Sequence, residues 1–212
     1  MDVRRFRVEK GRDRERFDAW SSTYEQSFTW RHFFEPVHRT MMGEIGDVAG
    51  RDILDLGCGT GDLLRRCAAA GAGRLAGIDP SEGMLAVARQ LSGGYPNIDF
   101  FGAPAESLPF GEGEFDIVTS CIAFHHFPDP HEALAEAARV LRPAGKLYVC
   151  DMCSEGLAGK LMLAFGRAKA ADDHYFTRSG LTGLIRDAGF EPGTARNVNR
   201  FPPAMLLSAT RR

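Results

Sequence analysis

A glycine-rich turn beside two acidic residues is the part of the sequence with the clearest chemistry. Gly57, Gly59 and Gly61 alternate along the chain directly after the apolar run ILDL, which contains Asp55. Glycine allows the backbone of such a turn to approach a ligand closely. Asp79 ends the next apolar run, 22 residues beyond Gly57, and an acidic residue at about this spacing binds ribose hydroxyls in nucleotide sites. The spacing therefore predicts a ribose at this turn.

The charges beside the turn argue against a dinucleotide. A dinucleotide fingerprint would place its last glycine where this chain has Asp62. Asp55 and Asp62 would repel a pyrophosphate, since two like charges about 4 Å apart repel by about 4 kcal/mol at an effective dielectric of about 20. A ligand with an ammonium and a sulfonium would be attracted instead. S-adenosylmethionine carries both groups on an adenosine, so we predict it as the cofactor.

His125 and His126 follow a later apolar run, FDIVTSCIAF, and are candidate proton acceptors. The end of this run is where we expect the sulfonium of the predicted cofactor to lie. An unperturbed imidazole titrates near pH 6.5, so one of the two could act as a base at neutral pH. The alternative is that both histidines only shape the loop that leads into the next helix.

The elements that must position these residues alternate between strands and helices. The predicted strands are RDILDLG, RLAGID, IDFFGA, FDIVTSCIAF and GKLYVCDM. The predicted helices are DLLRRCAAAG, SEGMLAVARQLS, HEALAEAARVLRP and TRSGLTGLIRDAGF, the second beginning at an N-cap Ser81 and the last near Thr177. Such alternation predicts an α/β fold, a Rossmann-like doubly wound sheet that is mostly parallel. The tail, EPGTARNVN and AMLLSAT, predicts an antiparallel terminal hairpin.

We predict a single domain over residues 1–212. Its predicted parts are an N-terminal helical cap (1–49), a cofactor-binding core (50–152), a substrate-side insertion (153–176) and a C-terminal helix and hairpin (177–212). In the cap, four aromatic residues recur at spacings of three and four and so share one helical face: Phe17, Trp20, Tyr24 and Phe28. This face would either pack against the rest of the protein or contact the substrate. A second helix is predicted from Glu35 to about Gly50.

Composition limits the class of protein. Hydrophobic residues make up 44% and charged residues 25% of the chain, as in ordinary globular proteins. The net charge of -2 provides no basic field, which argues against a nucleic-acid partner. No apolar run is long enough for a membrane span, and the basic N-terminus lacks the apolar segment of a secretory signal. We therefore expect a cytoplasmic protein, and the excess of arginine over lysine hints at a bacterial source.

The cysteines predict no metal. There are five, and only Cys150 and Cys153 have the spacing of a redox or metal pair. A four-coordinate zinc site needs further ligands, which the sequence does not place nearby. We interpret both as buried thiols near a strand end.

Four segments together resemble the class I S-adenosylmethionine-dependent methyltransferases. They are DILDLGCGTGDLL, GIDPSEGMLAVAR, AESLPFGEGEFDIVTS and FHHFPDPHEALAEAARVLRPAGKLYVCD. The particular likeness is to the small-molecule subgroup that includes the ubiquinone and menaquinone C-methyltransferases. It covers about residues 50–152 and implies a sheet of the kind predicted above.

The resemblance implies a role for several residues. Asp55, Gly57, Cys58, Gly59 and Gly61 would line the methionine and ribose, and Asp79 would hold the ribose hydroxyls. Pro80, Met84, Ala105 and Glu106 would border the adenine, Cys121 would offer its carbonyl to the ammonium, and Tyr24 would reach the cofactor from the cap. One departure is Pro104, which stands where the family often has an aspartate that binds the adenine amino group.

The implied activity is methyl transfer to a small-molecule acceptor, at an oxygen, nitrogen or carbon atom, by direct displacement. Two alternatives stay open at this stage. The acceptor could be a membrane lipid or quinone, or the chain could be a non-catalytic subunit that binds S-adenosylmethionine. The sequence does not indicate the oligomeric state.

Overall fold

Seven strands form one sheet in the part of the chain that the computed structural model describes, residues 15–27, 30–157, 159, 174–200 and 202–212. The strands are β1 (Ile53–Leu56), β2 (Leu75–Ile78), β3 (Ile98–Phe101), β4 (Phe115–Cys121), β5 (Leu141–Met152), β6 (Phe190–Arg200) and β7 (Pro203–Arg211). Their order is β3-β2-β1-β4-β5-β7-β6. Strands β1 to β5 pair in parallel, and β7 runs antiparallel to both β5 and β6. The predicted fold class is confirmed.

Helices cover both faces of the sheet. Helix α1 is described over residues 15–20, followed by α2 (Glu35–Ile45), α3 (Asp62–Ala69), α4 (Glu82–Leu91), α5 (Pro130–Val140) and α6 (Arg178–Asp187). On one face Leu134 of α5 and Ile185 of α6 join the core, and on the other Met41 of α2 and Leu64 of α3 do so. Because both faces are covered, every residue of β1 and β2 is buried, which explains their near-continuous apolar runs.

Side-chain caps place two helix starts where the sequence predicts them. Ser81 precedes α4, and its Oγ accepts a hydrogen bond from the Met84 N–H at 3.1 Å. Thr177 precedes α6, and its Oγ1 accepts from the Gly180 N–H at 3.1 Å. Each bond satisfies a backbone donor that the first turn of a helix leaves unpaired.

Two predicted helix ends lie elsewhere in the structure. Helix α2 ends at Ile45 rather than near Gly50, because Gly46 takes a left-handed φ of 76°. Helix α5 ends at Val140 because Leu141 is extended and pairs with Phe115 of β4. Both helices therefore end before the helical pattern of apolar residues in the sequence ends. The cause is the backbone conformation of a glycine in α2 and a strand pairing in α5.

The predicted division of the chain stays a prediction. In the cap, a 3₁₀ turn (Ser21–Gln26) follows α1 and a π turn (Trp30–Phe34) leads into α2. Phe28 of the predicted aromatic face lies outside the described residues, as does most of the predicted insertion. Over the described parts of the chain, no helix has the length and apolar character needed to cross a membrane.

Candidate functional site

The glycine turn lies between β1 and α3 and packs against the loop that follows β4. Gly57 has a φ of 71° and Gly59 a φ of 52°, both in the left-handed region. A Cβ on Gly57 would lie 2.5 Å from the Cβ of Ala123, so only glycine fits there. A Cβ on Gly59 would meet no atom within 4 Å. The turn therefore has one closely packed side and one open side, next to the carboxyl ends of the strands.

Asp79 is held at this turn by backbone donors. Its Oδ2 accepts from the Gly59 N–H at 2.9 Å and its Oδ1 from the Ser81 N–H at 2.8 Å. Burial raises the pKa of Asp79 to about 6, although the two backbone hydrogen bonds lower it. A carboxylate has about four acceptor positions, so Asp79 can accept further hydrogen bonds from a ligand's hydroxyl groups.

Asp55 lies in β1, the strand next to β2, which Asp79 follows. Its side chain is buried, and its Oδ1 accepts from the Thr119 hydroxyl on β4 at 2.7 Å. Burial raises the pKa of Asp55 to about 7, the hydrogen bond from Thr119 lowers it, and the nearby Asp79 raises it further. Two neighbouring carboxylates with raised pKa values favour a cationic ligand, whose charge would compensate them.

Asp62 does not take part in this arrangement, contrary to the sequence-based argument. Its Oδ2 lies 2.8 Å from Nδ1 of His38 and 2.6 Å from Nε of Arg66. Burial favours a higher pKa for Asp62, but the hydrogen bonds from His38 and Arg66 outweigh it and lower the pKa to about 2. Because Arg66 compensates this carboxylate, the case against a pyrophosphate depends on Asp55.

The predicted adenine side is formed by the start of α4 and the loop after β3. Met84 and Ala105 are buried, whereas Pro80 and Pro104 are exposed. The Glu106 Oε1 accepts from the backbone N–H at the start of α5, at 3.0 Å. Glu106 therefore anchors the helix start with one carboxylate oxygen, and its other acceptor positions remain candidates for an adenine amino group together with the backbone carbonyls nearby.

Two of the predicted cofactor residues are cysteines. Cys58 is buried in the glycine turn, where its N–H donates to the Ile78 carbonyl at 2.9 Å. Cys121 ends β4 and is half-buried. The following Ile122 has a φ of 52°, which is unusual for a β-branched residue. This strained turn directs the chain from Cys121 to the histidines.

The N-terminal cap reaches the turn through Tyr24. Its ring packs against Trp20 and Phe34, with centroids 4.6 Å and 5.3 Å away. Burial, with the nearby charges of Cys121 and Asp79, raises the pKa of Tyr24 far above its ordinary value. The phenol is therefore neutral and can donate a hydrogen bond at the turn.

Asp18 is a second cap residue at this site, and the sequence interpretation missed it. Its Oδ1 accepts from the Ser81 hydroxyl and, at 2.9 Å, from the Gly83 N–H. These bonds tie α1 to the start of α4 beside Asp79. Glu25 makes a second contact between the cap and the glycine turn, because its Oε1 accepts from the Thr60 hydroxyl at 2.6 Å. No local signal marks Asp18, because its partners lie more than sixty residues away.

The histidine pair lies in a short 3₁₀ turn, Phe124–His126. His125 is buried, and its Nδ1 lies 2.6 Å from Oδ1 of Asp151. Its backbone N–H donates to Oδ2 of the same carboxylate at 2.8 Å. The half-buried His126 ring lies 3.9 Å from the His125 ring and 5.3 Å from the ring of Phe17.

Asp151 was not among the predicted site residues. It lies in β5 at the carboxyl end and is fully buried. The signal that could have found it is its position, because ligands bind beyond the carboxyl ends of the strands in such sheets.

The far end of the predicted insertion covers the histidines. The His174 N–H donates to the His125 carbonyl at 2.8 Å. The Tyr175 ring stacks on His125 at 6.0 Å, and Phe176 packs against Phe124 at 5.5 Å. These contacts hold the end of the predicted insertion against the loop after β4.

All five cysteines are free thiols. Cys150 and Cys153 are buried, which confirms their interpretation. Within the described ranges, no group of three or more histidine, cysteine, aspartate or glutamate side chains is arranged to hold a metal ion.

Comparison with known proteins extends the sequence resemblance. Residues 54–149 match the family described as a methyltransferase domain. The chain is 36% identical over 144 residues to the demethylmenaquinone methyltransferase of Clavibacter sepedonicus, an alignment covering 64% of this chain and 56% of that protein. It is 38% identical over 131 residues to the ubiquinone biosynthesis O-methyltransferase of Aromatoleum aromaticum, covering 61% and 55% respectively. The chain spans just over half the length of these relatives.

A solved structure shows the same fold over nearly the whole chain. The S-adenosylmethionine-dependent methyltransferase of Thermotoga maritima aligns with a TM-score of 0.76 at 21% identity, covering 92% of this chain and 98% of that one. At this identity the likeness concerns the fold alone. Over residues 54–149 the chain thus matches a methyltransferase domain, and its fold is that of this solved methyltransferase.

Proposed function

We propose that this protein transfers a methyl group from S-adenosylmethionine to a small-molecule acceptor by direct displacement. The observation that supports this most is the pair of carboxylates with raised pKa values, Asp55 and Asp79, beside the open side of Gly59. A dinucleotide would bring a pyrophosphate to the same turn, where Asp55 would repel it.

The proposed binding roles follow the positions of the residues around the turn. Asp79 accepts from the ribose hydroxyls, and the methionine portion lies over the turn formed by Gly57, Cys58, Gly59 and Gly61. Asp55 and the Cys121 carbonyl attract the ammonium, with Tyr24 closing the site from the cap. The adenine lies against Pro80, Met84, Ala105 and the backbone near Glu106.

When bound, S-adenosylmethionine supplies a methyl carbon on a sulfonium, a leaving group that needs no further activation. The protein must then align the acceptor at about 3–3.5 Å, exclude water and remove a proton where the acceptor requires it. The cap excludes water, since α1 and the 3₁₀ turn are tied to α4 and to the glycine turn. The candidate bases are His125 and His126, of which His125 has the carboxylate partner.

The first test is cofactor identity. Isothermal titration calorimetry at neutral pH should show binding of S-adenosylhomocysteine and S-adenosylmethionine, with NAD and NADP binding much more weakly because of Asp55. Tighter binding of NAD than of S-adenosylhomocysteine would overturn the proposed function.

Cofactor binding should also depend on pH. Asp55 and Asp79 attract a cation only when ionised, and their pKa values are about 7 and about 6. Since the apparent affinity scales with the fraction of binding-competent protein, lowering the pH from about 8 to about 5.5 should weaken S-adenosylmethionine binding roughly tenfold or more. Titrations at both pH values measure the change.

Asp55→Asn is the matched variant for this pH effect. The amide keeps an acceptor for Thr119 but removes one of the two titrating groups, so the variant should bind S-adenosylmethionine weakly at both pH values and lose most of the pH dependence. A carboxyl group with a raised folded-state pKa stabilises the protein at low pH and loses that contribution as the pH rises towards 7. Asp55→Asn should therefore raise the melting temperature of the ligand-free protein at about pH 8. A variant that keeps the full pH dependence would show that Asp55 is not the responsible group.

We further propose a cytoplasmic bacterial enzyme with no nucleic-acid partner, supported by the near-neutral net charge of -2 and by the bacterial relatives. Formation of S-adenosylhomocysteine from S-adenosylmethionine in the presence of a metabolite extract would exclude a non-catalytic subunit. Sedimentation with liposomes would instead favour a lipid or quinone acceptor.

A further inference from the structure

We propose that Asp18 and Glu25 of the N-terminal cap form a clasp that positions Asp79, and that the cofactor dissociates only after this clasp opens. The inference depends on the proposed function, in which Asp79 binds the ribose. It adds two positioning residues to that site and a conformational step to the exchange of the cofactor.

The starting point is how Asp79 is held. Its two carboxylate oxygens accept from the N–H groups of Gly59 and Ser81, at 2.9 Å and 2.8 Å. One donor belongs to the glycine turn and the other to the residue that caps α4. The ribose carboxylate therefore keeps its orientation only while the turn and the start of α4 keep their positions.

Asp18 of α1 holds the start of α4. Its Oδ1 accepts from the Ser81 hydroxyl and, at 2.9 Å, from the Gly83 N–H. Gly83 is the second residue of α4, where a backbone N–H has no partner inside the helix. The cap thus satisfies a donor that α4 cannot satisfy itself, and it does so at the residue that binds one oxygen of Asp79.

Gly83 is the point at which α1 docks. A Cβ on Gly83 would lie 2.9 Å from the Cα of Asp18 and 3.1 Å from its carbonyl oxygen. Both are backbone atoms, so they cannot rotate away as the end of a side chain can. Glycine is a poor helix former compared with alanine, and its presence inside α4 is explained by this close approach of α1.

Glu25 holds the other side of Asp79. Its Oε1 accepts from the Thr60 hydroxyl and from Nη2 of Arg65, each at 2.6 Å. Thr60 directly follows Gly59, which donates to Asp79. The side chains of the Glu25–Arg65 pair are only 25% and 13% exposed, so salt screens this pair less than it screens an exposed one.

The two carboxylates of the clasp belong to one continuous segment, α1 and the 3₁₀ turn that follows it. They hold that segment against the protein on both sides of Asp79. Tyr24, directly before Glu25, lies close enough to Asp79 for their charges to interact. A ribose bound to Asp79 therefore lies beneath the cap, and its release requires that the contacts of Asp18 and Glu25 break.

The first measurement uses the unchanged protein. The Gly83 N–H donates to Asp18 across the clasp, so its hydrogen exchange, followed by NMR, reports opening of the clasp. The Met84 N–H is the reference, because its partner is Ser81 at the start of the same helix. Saturating S-adenosylhomocysteine should slow exchange at Gly83 roughly tenfold more than at Met84. An unchanged ratio of the two rates would overturn the clasp, without any variant having to fold.

The second measurement is the dissociation rate of S-adenosylhomocysteine, by stopped-flow displacement. Asp18→Ala and Glu25→Ala should each raise this rate roughly tenfold, because each removes the hydrogen bonds on one side of Asp79. Asp18→Asn keeps an amide oxygen for the two donors on α4, so its rate should return to within a few-fold of that of the unchanged protein. Equal rates in Asp18→Asn and Asp18→Ala would overturn the positioning role of Asp18.

Gly83→Ala tests the docking of α1 and leaves both carboxylates in place. The added Cβ would meet the α1 backbone, so dissociation should be about as fast as in Asp18→Ala. Circular dichroism should show that helix content is retained, since alanine favours the helix. Gly183→Ala is the matched control in α6, where a Cβ would meet no atom within 4 Å, and it should leave the rate unchanged.

The outcomes separate this inference from the proposed function. A protein that does not bind S-adenosylhomocysteine would refute the proposed function. A protein that binds it, but whose dissociation rate is the same in Asp18→Ala, Glu25→Ala and Gly83→Ala, would overturn the clasp alone.

Discussion

Replacing His125 by alanine should lower kcat by roughly a hundredfold or more and leave cofactor affinity nearly unchanged. The reason is that this ring is the one paired with a buried carboxylate, at 2.6 Å, beside the loop that contacts the glycine turn. Loss of a base acts on the chemical step, whereas the cofactor is held by other residues. Steady-state kinetics and calorimetry with S-adenosylhomocysteine measure the two quantities separately.

His126→Ala is the natural comparison, because His126 has the same side chain in the same turn but packs against Phe17. It should change kcat much less. The wild-type rate should also fall as the pH is lowered, with the profile of a single titrating group, since a protonated base cannot accept a proton. If both alanine variants keep near-normal turnover and the rate has no acid limb, the histidines are scaffold and catalysis depends on positioning alone.

Asp79→Ala should weaken S-adenosylhomocysteine binding roughly ten- to a hundredfold. A hydrogen bond to a charged group contributes about 1.5–3 kcal/mol, and Asp79 is already oriented by the backbone N–H groups of Gly59 and Ser81. The carboxylate therefore needs no rearrangement to accept from the ribose. Calorimetric titration of the variant, with its fold checked by circular dichroism, tests this expectation.

Two further variants separate the ribose contact from the shape of the turn. Asp79→Asn keeps an acceptor for one backbone donor, so it should retain the fold but still lose affinity. Asp99→Ala removes an exposed carboxylate from the neighbouring strand β3 and should bind normally. An unchanged dissociation constant in Asp79→Ala would mean that the ribose is bound elsewhere.

The local pattern of the chain was enough to predict the sheet and the turn. Parallel strands covered on both faces must be nearly all apolar, and β1 and β2 have that pattern. The Ser81 cap and the left-handed glycines are also local, since each depends on the backbone within a few residues. Asp79 could be predicted because its distance from the turn is set by one strand–helix–strand unit.

Other features depend on contacts between distant parts of the chain. Asp62 follows the glycines directly, and its sequence position suggested a repulsive charge at the ligand. The structure instead pairs it with His38, 24 residues earlier. Periodicity gives no information on such a pairing, because it arises only when α2 packs against α3.

The same reason separates the histidine pair from its carboxylate partner. The sequence by itself determined that His125 follows a buried strand, but not that Asp151 of the next strand would meet it. That contact exists because β4 and β5 are parallel neighbours whose carboxyl ends lie side by side. The position of β7 between β5 and β6 is likewise decided by strand pairing in three dimensions. Residue type and spacing thus determined which chemistry is available to this chain, and tertiary packing decided which groups are close enough to act together.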